Sequence, residues 1–166
     1  MQLDHYSNNF EQRTFPIILI CDNVSNAPNI GGLLRTSDAF GITKVFFCGQ
    51  KIEFNRKAKK SSRATENYVN FEMQDNINNV LLRLKNENYY FISLEITSKS
   101  QSLSSFKLPK NRPIALIVGH ENFGIQESVL NNSDSIIHID MFGKNSSMNV
   151  VQSTNIALYE ITKQMM

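Results

Sequence analysis

One short apolar run, residues 15–21 with the letters FPIILIC, constrains the fold more than any other feature of the sequence. It is far shorter than the roughly 20 residues that cross a bilayer, and it is typical of a strand buried on both faces of a parallel sheet. A turn-rich segment follows, and then a helix is predicted from Asn29 to Phe40, with Gly41 at its stop position. A second strand follows over 44–48. This βαβ unit predicts an α/β fold with a mostly parallel sheet flanked by helices.

The rest of the chain continues the same alternation. It contains no internal repeat and no low-complexity linker, so we expect a single domain over residues 1–166, beginning with a polar N-terminal segment over residues 1–14. Further strands are predicted over 68–71, 89–96, 114–118 and 136–139, and further helices over 77–86 and 149–163.

Composition excludes several classes of protein. Seventeen Lys and Arg against 15 Asp and Glu give a net charge of +2, so charge alone does not indicate a nucleic-acid partner. Two distant cysteines and the absence of a basic, apolar leader exclude a disulfide framework and favour a cytoplasmic protein with no membrane segment. His5, His120 and His138 lack metal-ligand spacing, so no metal site is predicted.

The stretch 51–63 breaks the charge balance, because it holds six of the 17 basic residues against Glu53 alone. It could be a solvated surface loop. It could also be a patch that contacts phosphates, since clustered cations displace counterions from a polyanion. The candidate RNA-binding residues are Arg56, Lys57, Lys59, Lys60 and Arg63.

Three loops follow predicted strand ends, where open α/β sheets place their ligand sites. In the first, over 26–41, Gly31 and Gly32 lie inside the helix, and each costs about 1 kcal/mol relative to Ala. Something is therefore expected to approach the backbone there, and Arg35 projects over the glycine face. The alternative is tight helix packing with a surface arginine.

The second loop, over 118–124, places Glu121 at the sheet edge, and Gly119 allows a sharp exit from the strand. The neighbouring residues do not match a phosphate-binding P-loop, and no Rossmann glycine motif is present. Glu121 could also be a helix-capping charge. In the third loop, over 137–150, Ser147 and Asn149 are either helix caps or polar groups at a ligand site.

Taken in order, these loops resemble the SpoU/TrmH family of RNA 2′-O-ribose methyltransferases in the SPOUT superfamily. The first is similar to the family's N-x-G-x-x-x-R-T motif over residues 29–36, and the second to V-G-x-E-x-x-G over 118–124. The third resembles I-P-M-x-G over 139–143 followed by S-[LM]-N-V over 147–150. The resemblance covers nearly the whole chain, and three motifs in this order are highly specific.

The resemblance implies a C-terminal deep trefoil knot, a homodimer and S-adenosylmethionine as cofactor. By position, the implied cofactor residues are Leu94, Gly119, Ile139 and Met148. The implied catalytic residues are Asn29, Arg35, Glu121, Ser147 and Asn149. Arg35 would stabilise the reacting 2′-hydroxyl, oriented by Asn29 and Glu121, while Ser147 and Asn149 would position the ribose and backbone.

Two residues depart from the family pattern: Asp140 replaces the usual proline, and His120 stands where Asn or Pro is common. Many relatives also carry an N-terminal RNA-binding domain, for which this chain has no room. Two rival functions remain open, a non-catalytic RNA-binding or assembly protein on the same scaffold and a nucleotide- or flavin-binding domain. The choice between tRNA and rRNA as substrate also remains open.

Overall fold

The computed structural model describes residues 10–166, so most of the predicted N-terminal segment, residues 1–9, lies outside the described residues. The strands are β1 (Phe15–Asp22), β2 (Ile42–Cys48), β3 (Phe71–Gln74), β4 (Tyr90–Leu94), β5 (Gln101–Ser102), β6 (Ile114–Val118) and β7 (Ser135–His138). The helices are α1 (Ala27–Ala39), α2 (Arg56–Ser62), α3 (Ile77–Asn86), α4 (Glu127–Leu130) and α5 (Val150–Met165), with a short 3₁₀ turn at Thr65–Asn67. No helix among residues 10–166 is long and apolar enough to span a membrane.

All seven strands belong to one parallel sheet, in the order β3-β2-β1-β6-β4-β7-β5. The central strands β1 and β6 are almost entirely buried, and alternate side chains of β1 point to opposite faces of the sheet. Leu19 packs in one core with residues of α1 and α5, and Ile18 packs in a second core with residues of α3. The predicted parallel sheet flanked by helices is therefore confirmed.

The strand order reverses direction between β1 and β6. From β1 the chain proceeds outward through β2 and β3, whereas β4, β7 and β5 lie on the other side of β6. Open α/β sheets bind ligands in the crevice at the carboxyl ends of the strands beside such a reversal. The loops after β1, β6 and β7, which carry the three motifs, all leave from that edge.

The structure matches the sequence predictions best where hydrophobic periodicity was strong. The predicted strand 114–118 and helix 77–86 have the observed bounds, and α1 begins two residues earlier than predicted, at Ala27, with Pro28 in its first turn. The strand predicted over 68–71 is wrong, because Tyr68 is 77% exposed and β3 runs over Phe71–Gln74 instead.

The basic stretch is not a loop throughout, because residues 56–62 form the helix α2. The Asn55 side chain accepts hydrogen bonds from the backbone N–H groups of Lys57 and Ala58, at 3.0 and 3.2 Å, and so caps the helix. The alternative of a solvated surface loop is therefore wrong for residues 56–62, which form a capped helix with a basic outer face.

The two glycines of α1 allow close helix packing on both sides. A Cβ atom at Gly31 would lie 2.1 Å from the Ala58 carbonyl oxygen of α2, and one at Gly32 would lie 2.9 Å from a Val151 methyl group of α5. The glycine pair predicted that something approaches the α1 backbone closely. The structure shows that α2 and α5 do so, which is the tight-packing alternative.

We expect Gly31→Ala to destabilise the fold by about 2 kcal/mol, because the added methyl group must displace the α2 backbone and overpacking outweighs the gain in helix propensity. Urea unfolding followed by circular dichroism measures this change. Gly143→Ala is the matched control, since a Cβ at Gly143 meets nothing within 4 Å. Equal stability of the two variants would contradict the role assigned to Gly31.

Candidate active site

A cleft of about 630 Å³ lies at the carboxyl ends of β4, β6 and β7, within the size range of sites for small ligands. Its walls come from the ends of these strands, from the loops that follow them and from the start of α5. They include Leu94, Gly119, Ile139 and Met148, the four residues implied as cofactor contacts, together with Glu121, Ser147 and Asn149.

A chain of side-chain hydrogen bonds links the three motifs beside this cleft. The Asn29 side-chain amide donates to Glu121 Oε1 at 2.9 Å, and the Asn149 amide donates to Asn29 Oδ1 at 3.0 Å. The Asn26 backbone N–H also donates to Glu121 Oε1, at 3.2 Å, at the start of α1. Asn29, which lies 92 positions before Glu121 and 120 before Asn149, therefore joins these two residues in one hydrogen-bonded unit.

Asn149 has two functions in the structure. Its Oδ1 accepts hydrogen bonds from the backbone N–H groups of Val151 and Gln152, at 2.9 and 3.4 Å, so it is the N-cap of α5. Its amide nitrogen is thereby turned towards Asn29. In one conformation, Asn149 therefore both caps α5 and contacts Asn29 beside the cleft.

The loop of the second motif folds tightly on itself. His120 and Gly124 exchange two backbone hydrogen bonds of 3.0 and 2.9 Å. A Cβ at Gly119 would lie 2.3 Å from the Gly124 carbonyl carbon, so only glycine allows this closure. The loop is closed by backbone contacts and presents Glu121 at the cleft.

Two opposing influences act on the Glu121 carboxyl, whose side chain is 20% exposed. Partial burial raises its pKa. Hydrogen bonds from Asn29, from the Asn26 backbone and from its own backbone, with the nearby His120, outweigh burial and hold the pKa below the usual range. Glu121 is therefore an anion at neutral pH.

Arg35 lies outside the hydrogen-bond chain. Its side chain is exposed on α1, forms no hydrogen bond or ion pair within residues 10–166, and is absent from the cleft wall. Asn29 and Glu121 do not orient it within this chain, contrary to what we expected. Ser147 does line the cleft, where its backbone N–H and its hydroxyl face Asn145 Oδ1 at 3.2 and 3.3 Å.

The basic face of α2 surrounds a second, open groove of about 520 Å³, lined by Arg56, Lys57, Lys59 and Lys60. Arg63 follows the helix at its left-handed C-cap. All five side chains belong to exposed residues, and α2 rests directly on α1 at Gly31. The basic cluster is thus attached to the helix that carries the first motif.

Two carboxylates beside the cleft were missed by sequence reasoning. Asp22, fully buried at the end of β1, accepts hydrogen bonds from the Gln126 backbone and side chain at 2.9 and 2.7 Å. Glu95, just after β4, lines the cleft and accepts from the Ile125 backbone at 3.0 Å. Both fasten the residues directly after the second-motif loop to the end of another strand. The position of each carboxylate at a strand end is the one sequence signal that could have indicated this role.

Within the described chain, residues 10–166, no group of three or more His, Cys, Asp or Glu side chains is arranged to hold a metal ion. Cys21 and Cys48 are buried free thiols on neighbouring strands. Burial and the nearby Asp22 carboxylate raise the pKa of Cys48 to about 12.

The fold and site define a doubly wound α/β protein with a ligand cleft at the reversal of its strand order. Residues 16–159 match the model of the SpoU rRNA Methylase family, and the chain belongs to that family.

Individual relatives agree with this assignment. The chain is 32% identical to an uncharacterized tRNA/rRNA methyltransferase of Borreliella burgdorferi, over 94% of this chain and 68% of that protein. It is 30% identical to the tRNA (guanosine(18)-2′-O)-methyltransferase of Aquifex aeolicus, over 93% of this chain and 72% of that protein. The crystal structure of the A. aeolicus TrmH/SpoU tRNA modifying enzyme superposes with a TM-score of 0.81 at 29% identity, covering 93% of this chain and 77% of that one.

The lowered pKa of Glu121 predicts a specific pH dependence. A glutamate in an unfolded chain titrates at about pH 4.3. Above that pH the ionised Glu121 carboxylate stabilises the fold fully. This stabilisation is lost as the pH falls through the lower pKa of Glu121 in the folded protein. Glu121→Gln lacks this contribution. The difference in the free energy of unfolding between wild type and E121Q should therefore shrink between about pH 6 and about pH 3.

Urea unfolding at each pH measures this difference. Glu127→Gln, at the exposed start of α4, controls for the removal of one negative charge. A difference for E121Q that stayed constant across the range would show that the hydrogen bonds from Asn29 and Asn26 do not favour the ionised carboxylate.

Proposed function

We propose that this protein transfers a methyl group from S-adenosylmethionine to a ribose 2′-hydroxyl of tRNA or rRNA. The single observation that carries the proposal is the hydrogen-bond chain Asn149–Asn29–Glu121 at the cleft edge. It joins the three motifs of a family whose named relatives are methyltransferases acting on tRNA and rRNA.

The residues of the cleft fit S-adenosylmethionine in both shape and charge. Leu94, Ile139 and Met148 supply apolar surface, and the closed second-motif loop supplies backbone polar groups for an adenosine. The carboxylates of Glu95 and Glu121 also line the cleft and favour a cationic ligand. When bound, S-adenosylmethionine supplies an electrophilic methyl group on a positively charged sulfur.

We propose that residues 1–166 act as a single domain and that the last part of the chain is threaded as the family's trefoil knot. The strand order supports the threading, because β6 is inserted between β1 and β4, and β7 between β4 and β5. The segment after β7 then returns past the cleft to begin α5 beside α1. We place the protein in the cytoplasm.

The protein is further proposed to act as a homodimer that completes each site. Ile156 and Tyr159 on α5 are 41% and 63% exposed, which leaves an apolar strip available to a second copy. A second copy would also explain the position of Arg35, which is exposed on α1 and absent from its own cleft wall. In the dimer, Arg35 of one protomer would serve the cleft of the other.

Arg35 is assigned the electrostatic part of the reaction. A guanidinium is a cation that donates hydrogen bonds and accepts none, so it stabilises the negative charge that develops on the 2′-oxygen rather than removing its proton. Ser147 and Asn149 would position the ribose and its backbone at the cleft, and Glu121 would hold Asn29 in place. The transfer converts S-adenosylmethionine to S-adenosylhomocysteine and releases the hydroxyl proton.

The basic face of α2 is proposed to bind the RNA backbone. Its cations are exposed, lie on one helix and are fixed to α1 through the Gly31 contact. Phosphates held there would therefore keep a fixed position relative to the first motif.

We expect Arg35→Ala to abolish methyl transfer while S-adenosylmethionine still binds, because Arg35 is not part of the cleft wall. Transfer is measured with radiolabelled donor and bulk RNA, and cofactor binding by calorimetry. Lys85→Ala, on an exposed part of α3, is the control for removing one cation. Turnover of R35A near the wild-type rate would remove Arg35 from the catalytic residues.

Mixed dimers test whether Arg35 acts across the interface. One variant carries Arg35→Ala, and the other carries Gly119→Val, which prevents the second-motif loop from closing. The two proteins are mixed so that they exchange subunits. Random mixing of two inactive variants should restore about a quarter of wild-type activity if one protomer supplies Arg35 and the other supplies the cleft. A mixture that stays inactive would show that both must come from the same chain.

Replacing Lys57, Lys59 and Lys60 with Gln should weaken RNA binding and reduce its salt dependence, with a slope lower by about 0.7 to 0.9 per lost phosphate contact. Filter binding at a series of salt concentrations measures both quantities. The control triple replaces Lys85, Lys107 and Lys110, which are exposed and precede the amino ends of β4 and β6. If the two triple variants showed the same salt dependence of RNA binding, α2 would be a solvated surface helix that does not contact the RNA.

A further inference from the structure

Asp140 departs from the family pattern, and its side chain has a defined set of partners. It belongs to the segment between β7 and α5, directly between Ile139 and Met141, which both line the cleft. Asp140 itself is not part of the cleft wall. The Asp140 side chain is 41% exposed and points towards Ser102 of β5 and towards His138, which itself lines the cleft.

The Asp140 carboxylate has partners in segment 102–104 and at the end of β7. It accepts a hydrogen bond from the Ser102 hydroxyl of β5 and another, of 3.5 Å, from Ser104. It also faces His138 Nε2 at 3.5 Å. The hydrogen bond from Ser102 and the nearby His138 lower the pKa of Asp140, so the carboxylate is ionised at neutral pH.

His138 extends these contacts to the turn after β4. Its Nδ1 lies 2.9 Å from the Ser100 hydroxyl oxygen. That hydroxyl donates to the Thr97 carbonyl at 2.8 Å and accepts from the Thr97 backbone N–H at 3.0 Å. Thr97 lines the cleft, so a continuous set of polar contacts runs from Asp140 back to the cleft wall.

We infer that Asp140 is a positioning residue for the cofactor cleft, because its contacts with Ser102 and His138 hold Ile139 and Met141 against the cleft. In this protein, side-chain hydrogen bonds fix the segment between β7 and α5, where the family pattern has a proline instead. The inference rests on the proposed function for the identity of the ligand, but the position of the loop can be measured without any ligand.

The first experiment measures the binding of S-adenosylmethionine and S-adenosylhomocysteine by calorimetry. Asp140→Ala should weaken both by about tenfold, as expected for losing one charge-assisted hydrogen bond that organises the site. Ser102→Val should weaken the binding of both compounds several-fold. Ser102→Thr is the control, because threonine has the shape of valine but keeps the hydroxyl, and it should bind both compounds like wild type. The double variant D140A/S102V should bind no more weakly than D140A, because the two residues act through one contact.

Steady-state kinetics separate positioning from chemistry. In D140A, the KM for S-adenosylmethionine should rise while kcat at saturating cofactor stays within about twofold of wild type. Hydrogen exchange without ligand should show faster exchange over residues 139–148 in D140A and S102V but not in S102T.

Wild-type cofactor affinity and unchanged exchange in D140A would overturn the inference. Independent, additive losses for D140A and S102V would overturn it as well. If the wild-type protein binds neither cofactor, the proposed function fails, and the exchange rates alone decide whether Asp140 fixes the loop.

Discussion

The side-chain amide of Asn29 is the contact on which the arrangement of the site depends. Asn29 is only 8% exposed, and a buried amide must satisfy both its nitrogen and its oxygen. The nitrogen donates to Glu121 and the oxygen accepts from Asn149, so the two neighbours together determine which way the amide faces. Glu121 reaches this position because Gly119 lets its loop close, and Asn149 because it caps α5. Loss of the amide would remove one of the donors to Glu121 and leave the Asn149 amide nitrogen without this partner, so the three motifs would no longer be joined by side-chain hydrogen bonds.

The close helix contacts extend this rigidity to the proposed RNA-binding surface. Gly31 lets the α2 backbone approach α1, and Gly32 does the same for the start of α5. The basic face of α2, the first motif and the start of the last helix are therefore held by close contacts with the α1 backbone rather than by long flexible side chains. A phosphate bound at Lys57 or Lys60 would consequently lie at a fixed distance from the cleft, which favours the alignment of a bound ribose over affinity alone.

The sequence predicts the parts of this structure that local chemistry determines. The strand 114–118 is a continuous apolar run, and it forms a fully buried strand with the predicted bounds. The helix α2 has no apolar stripe to reveal it, since only Ala58 and Ser62 are buried, so charge was the dominant signal there. The pairing of Asn29 with Asn149 spans 120 positions and depends on where two strand ends meet, which no local pattern contains. The motifs could bring these residues together only by resemblance, and the same resemblance could not foresee the partners of Asp140.

The distribution of charge gives a physical reason for the separation of Arg35 from the cleft. Glu95 and Glu121 both line the cleft, and Glu121 is ionised. A guanidinium placed beside them would form an ion pair, and its positive charge would already be balanced before any 2′-oxygen became negative. Arg35 instead stays exposed and unpaired within the described chain, while the carboxylates remain available to a cationic cofactor. In the proposed dimer, Arg35 of one copy would approach the cleft of the other from outside its wall, where RNA would also bind. Under that proposal, the positive charge of Arg35 would stabilise the reacting oxygen and would not be neutralised by an ion pair within its own chain.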